Sequence, residues 1–173
     1  MVRFLMTAMA AVALVSCGDD DVGPKSAIGS NACSEGGLIK EGDVSIATPE
    51  DLSALGGDDS SHVCVSGKLL IEKTTLTSLE GLSNLYGVGG LRLRANESLT
   101  NLDGLQGLIR IDGDLEISNN RALTNVDALH QLTRIGGELS IRENASLTSL
   151  EGLRNVTRID GGLWVFANDP LGV

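Results

Sequence analysis

The chain has 173 residues, a formal net charge of −10 at pH 7 and an aromatic content of only 2%. With 13 Lys and Arg against 23 Asp and Glu and no basic cluster, it offers nothing to a nucleic-acid backbone, so we expect no nucleic-acid partner. So few rings also exclude a core built on large aromatic side chains, and an aliphatic core must take its place.

A short hydrophobic segment opens the chain. Arg3 supplies a positive charge, and residues 4–15 form a 12-residue apolar run, too short to span a bilayer that needs roughly 20 residues. It ends in Leu14-Val15-Ser16-Cys17, which resembles the lipobox of bacterial lipoproteins.

The lipobox resemblance implies a signal peptide over residues 1–16 and a membrane anchor through lipid on Cys17. The alternative is an ordinary secretory signal with a cysteine near its end by chance. Residues 17–32 are acidic and rich in Gly, Pro and Ser, which predicts a flexible tether. Gly18, where Asp would resemble a retention signal for the inner membrane, favours the outer membrane of the bacterial cell envelope.

Two cysteines remain after Cys17, namely Cys33 and Cys64. An even remainder in an exported protein favours a disulfide, and two buried free thiols are the alternative. Closing the 30-residue segment between them would stabilise the fold by roughly 3–4 kcal/mol in the chain-entropy model. We expect no metal and no cofactor, because only two histidines are present and four ligands are nowhere correctly spaced.

A repeat of 24 residues dominates the rest of the chain, and its clearest marks are Asn96, Asn120, Asn144 and Asn168. Such a period is typical of a solenoid, in which each repeat forms one coil. A motif such as Leu115-Glu116-Ile117 predicts a short strand with the two aliphatic side chains inward. An Asn in the following corner tolerates left-handed backbone, and the four stacked side chains predict an internal amide ladder.

An acidic residue recurs later in each coil, at Glu80, Asp103, Asp127 and Glu151. We expect it to cap a one-turn helical segment, since helix N-termini favour acceptors and negative charge. Each coil carries about seven aliphatic groups. One coil alone would not fold, whereas several stacked coils should.

The spacing of Asn and Leu resembles the receptor L domain, a leucine-rich-repeat-like module, because the next Leu follows the Asn by three residues, as in Asn120-Arg121-Ala122-Leu123. The order of Cys33, Cys64 and the strand motif at 67–71 also resembles that family. The resemblance covers residues 33–173. It implies a mainly β, right-handed parallel β-solenoid with a disulfide-pinned N-terminal cap over 33–66 and coils over 67–173. No C-terminal cap of that family is recognised in the sequence.

Two rows of outward residues are candidate surfaces. The strand residues form the candidate binding face for a protein or glycan, and they comprise Arg92, Arg94, Glu116, Ser118, Ser140, Arg142, Trp164 and Phe166, next to Leu70 and Glu72. The alternative is a solvated face with cross-strand ion pairs, such as Arg92 or Arg94 with Glu116. A second row, Arg110, Arg134 and Arg158, could grip an anion, but ion pairing with Asp112 and Asp160 is favoured.

We expect no enzyme, because the repeated acids suit an architectural role better than one acid/base pair and no Ser/His/Asp set appears. The favoured interpretation is a lipid-anchored envelope protein that displays a non-catalytic solenoid for binding or adhesion. The alternatives are a structural envelope protein that assembles through its open solenoid edge and, more distantly, a carbohydrate-active β-helix enzyme.

Overall fold

The structure, a computed structural model, describes residues 37–56 and 62–169. Ten strands follow in chain order: β1 Leu38–Lys40, β2 Val44–Ile46, β3 Val63–Glu72, β4 Leu85–Arg94, β5 Arg110–Ile111, β6 Leu115–Ser118, β7 Arg134–Ile135, β8 Leu139–Arg142, β9 Arg158–Ile159 and β10 Leu163–Phe166. Helix α1 spans Pro49–Gly56, and one-turn 3-10 helices span Glu80–Leu82, Asp127–Leu129 and Glu151–Leu153. In these ranges no helix has the length and apolar character needed to cross a membrane.

The predicted parallel β-solenoid is confirmed, because every strand pairs in parallel with a strand of the neighbouring coil. In the regular part the register is 24 residues, as in Leu91 beside Leu115 beside Leu139. Two ladders result. We call the ladder of β2, the second half of β3 and β4, β6, β8 and β10 the long-strand face. The short-strand face consists of β1, the first half of β3 and β4, β5, β7 and β9.

The core runs along the solenoid axis as stacked rows of aliphatic side chains. In the coil after β5 the buried Leu, Ile and Val side chains are Leu115, Ile117, Leu123, Val126, Leu129, Leu132 and Ile135, and Ala128 is buried beside them. This agrees with the prediction of about seven aliphatic groups per coil, and Leu115 and Ile117 point inward as the alternation of the strand requires. Each row is buried by the rows above and below it, which explains why a coil depends on its neighbours.

Residues 37–56, which belong to the predicted N-terminal cap, carry two strands that pair with β3. Strand β1 pairs with β3 through Leu38 beside Val63, and β2 pairs with it through Val44 beside Leu69. The cap is therefore itself a coil, in which α1 packs against the 3-10 helix of the next coil. Cys64 is buried in β3. Cys17 and Cys33 lie outside the described residues, so the lipid anchor and the disulfide stay predictions.

The four asparagines of the repeat form one buried ladder, with no exposed area. The backbone N–H of Asn96 donates to Oδ1 of Asn120 at 3.0 Å, and the Asn96 side-chain amide donates to the same oxygen at 3.1 Å and to the carbonyl of Ile71 at 2.8 Å. Asn120 and Asn144 repeat this pattern towards the next asparagine. Each side chain thereby joins two coils and satisfies polar groups that water cannot reach.

Two details of the corners differ from the sequence predictions. The left-handed residue is the one before each asparagine, for example Asn119 at φ 57° and Glu143 at φ 58°, so the ladder asparagines are needed for their amides and not for their φ tolerance. The repeated acids do not cap the 3-10 helices through their side chains. Instead, Oδ1 of Asn101 and Asn125 accepts the N–H two residues later, at distances of 2.9 Å and 3.1 Å.

Candidate binding face

Outward side chains on the long-strand face form three columns, because alternate residues of a strand share a face and successive coils keep register. The first column contains Lys68, Gly90, Asp114, Glu138 and Gly162. The second contains Leu70, Arg92, Glu116, Ser140 and Trp164, and the third contains Glu72, Arg94, Ser118, Arg142 and Phe166. All eight residues of the predicted candidate face thus lie together on one side of the solenoid.

Glu116 binds three other side chains of this face. Its carboxylate accepts hydrogen bonds from Nε of Arg92 at 2.8 Å, from Nη2 of Arg142 at 2.8 Å and from the hydroxyl of Ser118 at 3.0 Å. Partial burial tends to raise the pKa of the Glu116 carboxyl, but the hydrogen bonds from Ser118 and Arg142 and the charge of Arg92 outweigh it and lower that pKa. The carboxylate therefore holds two arginines from different coils in fixed positions.

The two serines of the face have little exposed area, although both point outward. Ser118 has no exposed area and lies beneath the ion-pair cluster, where its hydroxyl bonds Glu116. Ser140 is 6% exposed. Its side chain lines the cavity described below. Alternation alone reveals neither environment. Arg94, in contrast, is exposed and has no ion pair among the described residues.

A cavity of about 200 Å³ opens on this face. Its lining comprises Lys68, Leu91, Arg92, Asp114, Leu115, Glu116, Glu138, Ser140 and Arg142. Ser140 is the shortest polar side chain in this lining. Lys68 lies over Gly90 and approaches Asp114, with Nζ and Oδ2 3.8 Å apart. The cavity is smaller than the roughly 300–1,000 Å³ of sites for drug-sized ligands.

Two aromatic side chains continue the face beyond the cavity. Trp164 is 55% exposed and Phe166 is 43% exposed. Trp164 is the β10 partner of Ser140, so it lies one strand away from the cavity wall. Its indole leans over Gly162, because a Cβ at that glycine would lie 2.9 Å from Nε1 of the ring. The absence of a side chain at 162 therefore lets the ring lie along the face.

The second arginine row is engaged in ion pairs. Arg110 bonds Asp112, Arg158 bonds Asp160, and Nη2 of Arg134 reaches Oδ2 of Asp160 at 2.8 Å. Arg134 crosses to the next coil because Gly136 occupies the position of Asp112 and Asp160 in its own coil. Hydrogen bonds from Arg158 and Arg134 lower the pKa of Asp160. The row is thus matched by acids and is a poorer candidate for an anion site.

The first column was not identified from the sequence. Lys68, Asp114 and Glu138 stand just before the first inward Leu of each strand motif, and continuing the alternation one step towards the N-terminus would have found them. Within residues 37–56 and 62–169 no group of three or more His, Cys, Asp or Glu side chains could hold a metal. Comparisons with protein-family models, curated proteins and solved structures find no match for this chain.

Proposed function

We propose that this chain is a bacterial envelope lipoprotein, anchored in the outer membrane through Cys17, that displays a non-catalytic solenoid like a receptor L domain. Its long-strand face is the site that binds a protein or glycan. The observation that carries the proposal is the pairing of two exposed aromatic side chains, Trp164 and Phe166, with a polar cavity on the same face.

The alternative of a merely solvated face explains only part of this arrangement. The ion pairs of Glu116 with Arg92 and Arg142 fit a solvated face equally well. Leu163, which belongs to an inward row, is also exposed on β10, at 60%, so exposure alone does not distinguish the two rings. What solubility does not explain is that Trp164 and Phe166 both point outward, in a chain with only one Trp and two Phe. Aromatic side chains at a surface are typical of binding sites, because they bring a large contact area at little cost in conformational entropy.

Two features support a binding module over an enzyme. The carboxylates at Glu80, Asp103, Asp127 and Glu151 occupy equivalent exposed positions, one per coil, so no two of them have the distinct environments of an acid and a base. On the long-strand face, the carboxylate of Glu116 already accepts three hydrogen bonds. A carboxylate so fully engaged positions its neighbours and is poorly suited to take up protons.

The membrane anchor can be tested directly. Cells that express the full chain are labelled with palmitate and fractionated, beside cells that express Cys17→Ala. We expect label and membrane partitioning with the native chain and neither with Cys17→Ala. Equal partitioning of both chains would reject the anchor.

The binding face is tested by recovery of partners from envelope extract. The full chain is compared with Trp164→Ala and Arg94→Glu on the face, and with Arg121→Glu as a matched control. Arg94 and Arg121 are both exposed, but Arg121 lies in a corner outside the three columns. We expect recovery to fall for the two face variants and to stay unchanged for Arg121→Glu. Equal recovery by all four chains would reject the long-strand face as the site.

A further inference from the structure

We infer that the long-strand face binds an uncharged glycan of two or more sugar units, with one sugar ring in the cavity and the next stacked on Trp164. This inference rests on the proposed function and narrows its ligand to one chemical class. Charge, hydrogen-bonding groups and the geometry of the indole each support it independently.

The charges of the face cancel. Its three columns contain four cations, Lys68, Arg92, Arg94 and Arg142, and four anions, Glu72, Asp114, Glu116 and Glu138. Elsewhere the chain is strongly acidic, with a net charge of −10 in all. A polyanion would meet four acids on this face, and a polycation would meet four bases. An uncharged ligand with many hydroxyl groups avoids both repulsions and can use both donors and acceptors.

The cavity offers hydrogen-bonding groups that the fold itself does not use. In the described part of the chain, the hydroxyl of Ser140 has no hydrogen-bond partner, and the carboxylate of Glu138 makes no salt bridge. Arg142 contributes one Nη2 bond to Glu116 and retains further N–H donors. A hydroxyl, a carboxylate and a fixed guanidinium around about 200 Å³ suit adjacent hydroxyl groups on one sugar ring.

Trp164 supplies a flat platform beside this cavity. Its partner on the neighbouring strand is Ser140, and neighbouring strands lie about 4.8 Å apart. The indole leans over Gly162 and remains 55% exposed. The C–H groups on one side of a sugar ring are weakly positive, and the face of an indole is negative, so the two surfaces attract. Linked sugar rings can therefore occupy the cavity and the platform together.

A protein partner fits these observations less well. Protein interfaces are depleted of Lys, Asp and Glu, whereas these residue types are prominent in the lining of the cavity on this face, at Lys68, Asp114, Glu116 and Glu138. The exposed aromatic residues stand to one side of that cavity, on β10. The polar groups surround a small concave space, which favours a small hydroxylated unit over a broad apolar contact.

The single tryptophan of the chain provides the test, because all indole emission comes from the proposed platform. The full-length protein is purified in a zwitterionic detergent without a sugar headgroup and titrated with neutral hexose and N-acetylhexosamine oligomers. Oligouronides serve as the anionic comparison. We expect at least one neutral oligomer to shift the emission to shorter wavelength and to protect Trp164 from acrylamide, and the oligouronides to have no such effect.

Variants locate the binding. Ser140→Ala removes one hydrogen bond, so we expect about threefold to tenfold weaker binding, while Ser83→Ala, at an exposed site beyond the 3-10 helix of residues 80–82, should bind like the native protein. Gly162→Ala should displace the indole and weaken binding further. Trp164→Ala has no signal of its own, and it should lose retention on a resin that carries the same oligomer.

Three outcomes would overturn the inference. Either no neutral oligomer changes the emission, or only oligouronides do, or Ser140→Ala binds as tightly as the native chain. Recovery of a protein from envelope extract that depends on Trp164 and Arg94, without any oligosaccharide binding, would refute the glycan and leave the proposed binding face standing. If the chain neither binds an oligosaccharide nor recovers a protein from envelope extract in a way that depends on Trp164 and Arg94, the long-strand face itself is rejected as the binding site.

Discussion

The asparagine ladder should contribute more to stability than any other set of polar side chains in this fold, and Asn120→Ala measures its contribution. In the structure Asn120 accepts two hydrogen bonds through Oδ1, from the backbone and the side chain of Asn96, and donates two through Nδ2, to Leu93 and Asn144. Four buried hydrogen bonds at about 0.5–1.5 kcal/mol each amount to about 2–6 kcal/mol. The upper half is expected, because the buried N–H of Asn96 loses its acceptor.

Asn125→Ala is the matched control, since it removes an asparagine from the same coil that accepts one N–H, from Asp127, at an exposed turn. Its expected cost is about 1 kcal/mol. Both variants are made in the full chain with Cys17→Ala, which avoids detergent, and unfolded with urea while circular dichroism is followed. A loss of stability for Asn120→Ala no larger than that for Asn125→Ala would refute the ladder as a stabilising element.

Two further predictions concern the binding face and a corner. Glu116→Gln should lower the free energy of unfolding by about 1–2 kcal/mol at pH 7. The hydrogen bonds to Glu116 hold the pKa of its carboxyl below the ordinary value of a glutamate, so this contribution is fully present above that ordinary value and is lost as pH falls through the folded-state pKa. The free energies of unfolding of the two chains in urea should therefore converge in acid, and a difference independent of pH would contradict the assignment. Gly104→Ala should lower the stability of the protein far more than Gly42→Ala. Both glycines have positive φ, but their surroundings differ. A Cβ at position 104 would lie 1.7 Å from the carbonyl oxygen of Leu79, whereas a Cβ at position 42 would meet nothing within 4 Å. Strain at φ > 0 alone costs about 1–2 kcal/mol, so similar melting temperatures for the two variants would show that the corner relaxes around the extra methyl group.

The architecture was predictable because the same pattern of inward aliphatic residues and corner asparagines recurs in successive coils. Inward residues such as Leu115 and Ile117 and the asparagine ladder follow from period and alternation alone. The corners were harder, because the left-handed position at Asn119 and the cap from Asn125 depend on backbone geometry between motifs. A pattern of residue types could not distinguish the acid that begins a 3-10 helix from the residue that caps it.

The sequence predicted which residues belong to the candidate face, but it did not predict which of them are buried or where the cavity lies. Alternation placed Arg92, Glu116 and Trp164 on one side, and the register brought them together. It could not show that Ser118 is buried while Trp164 is exposed, because burial depends on how long side chains of neighbouring coils lie across short ones. The cavity is likewise lined by residues of successive coils, from Lys68 to Arg142, that are far apart in the linear sequence.

Photo-cross-linking in living cells tests the binding face most directly. A photoreactive phenylalanine analogue is placed at Phe166, which is exposed on the long-strand face, or at Thr148, which is exposed in the segment between the ladder asparagine and the 3-10 helix. We expect a discrete adduct from position 166 that disappears with Trp164→Ala, and no adduct from position 148. Equal adducts from both positions, or an adduct at 166 that is indifferent to Trp164, would contradict the binding face.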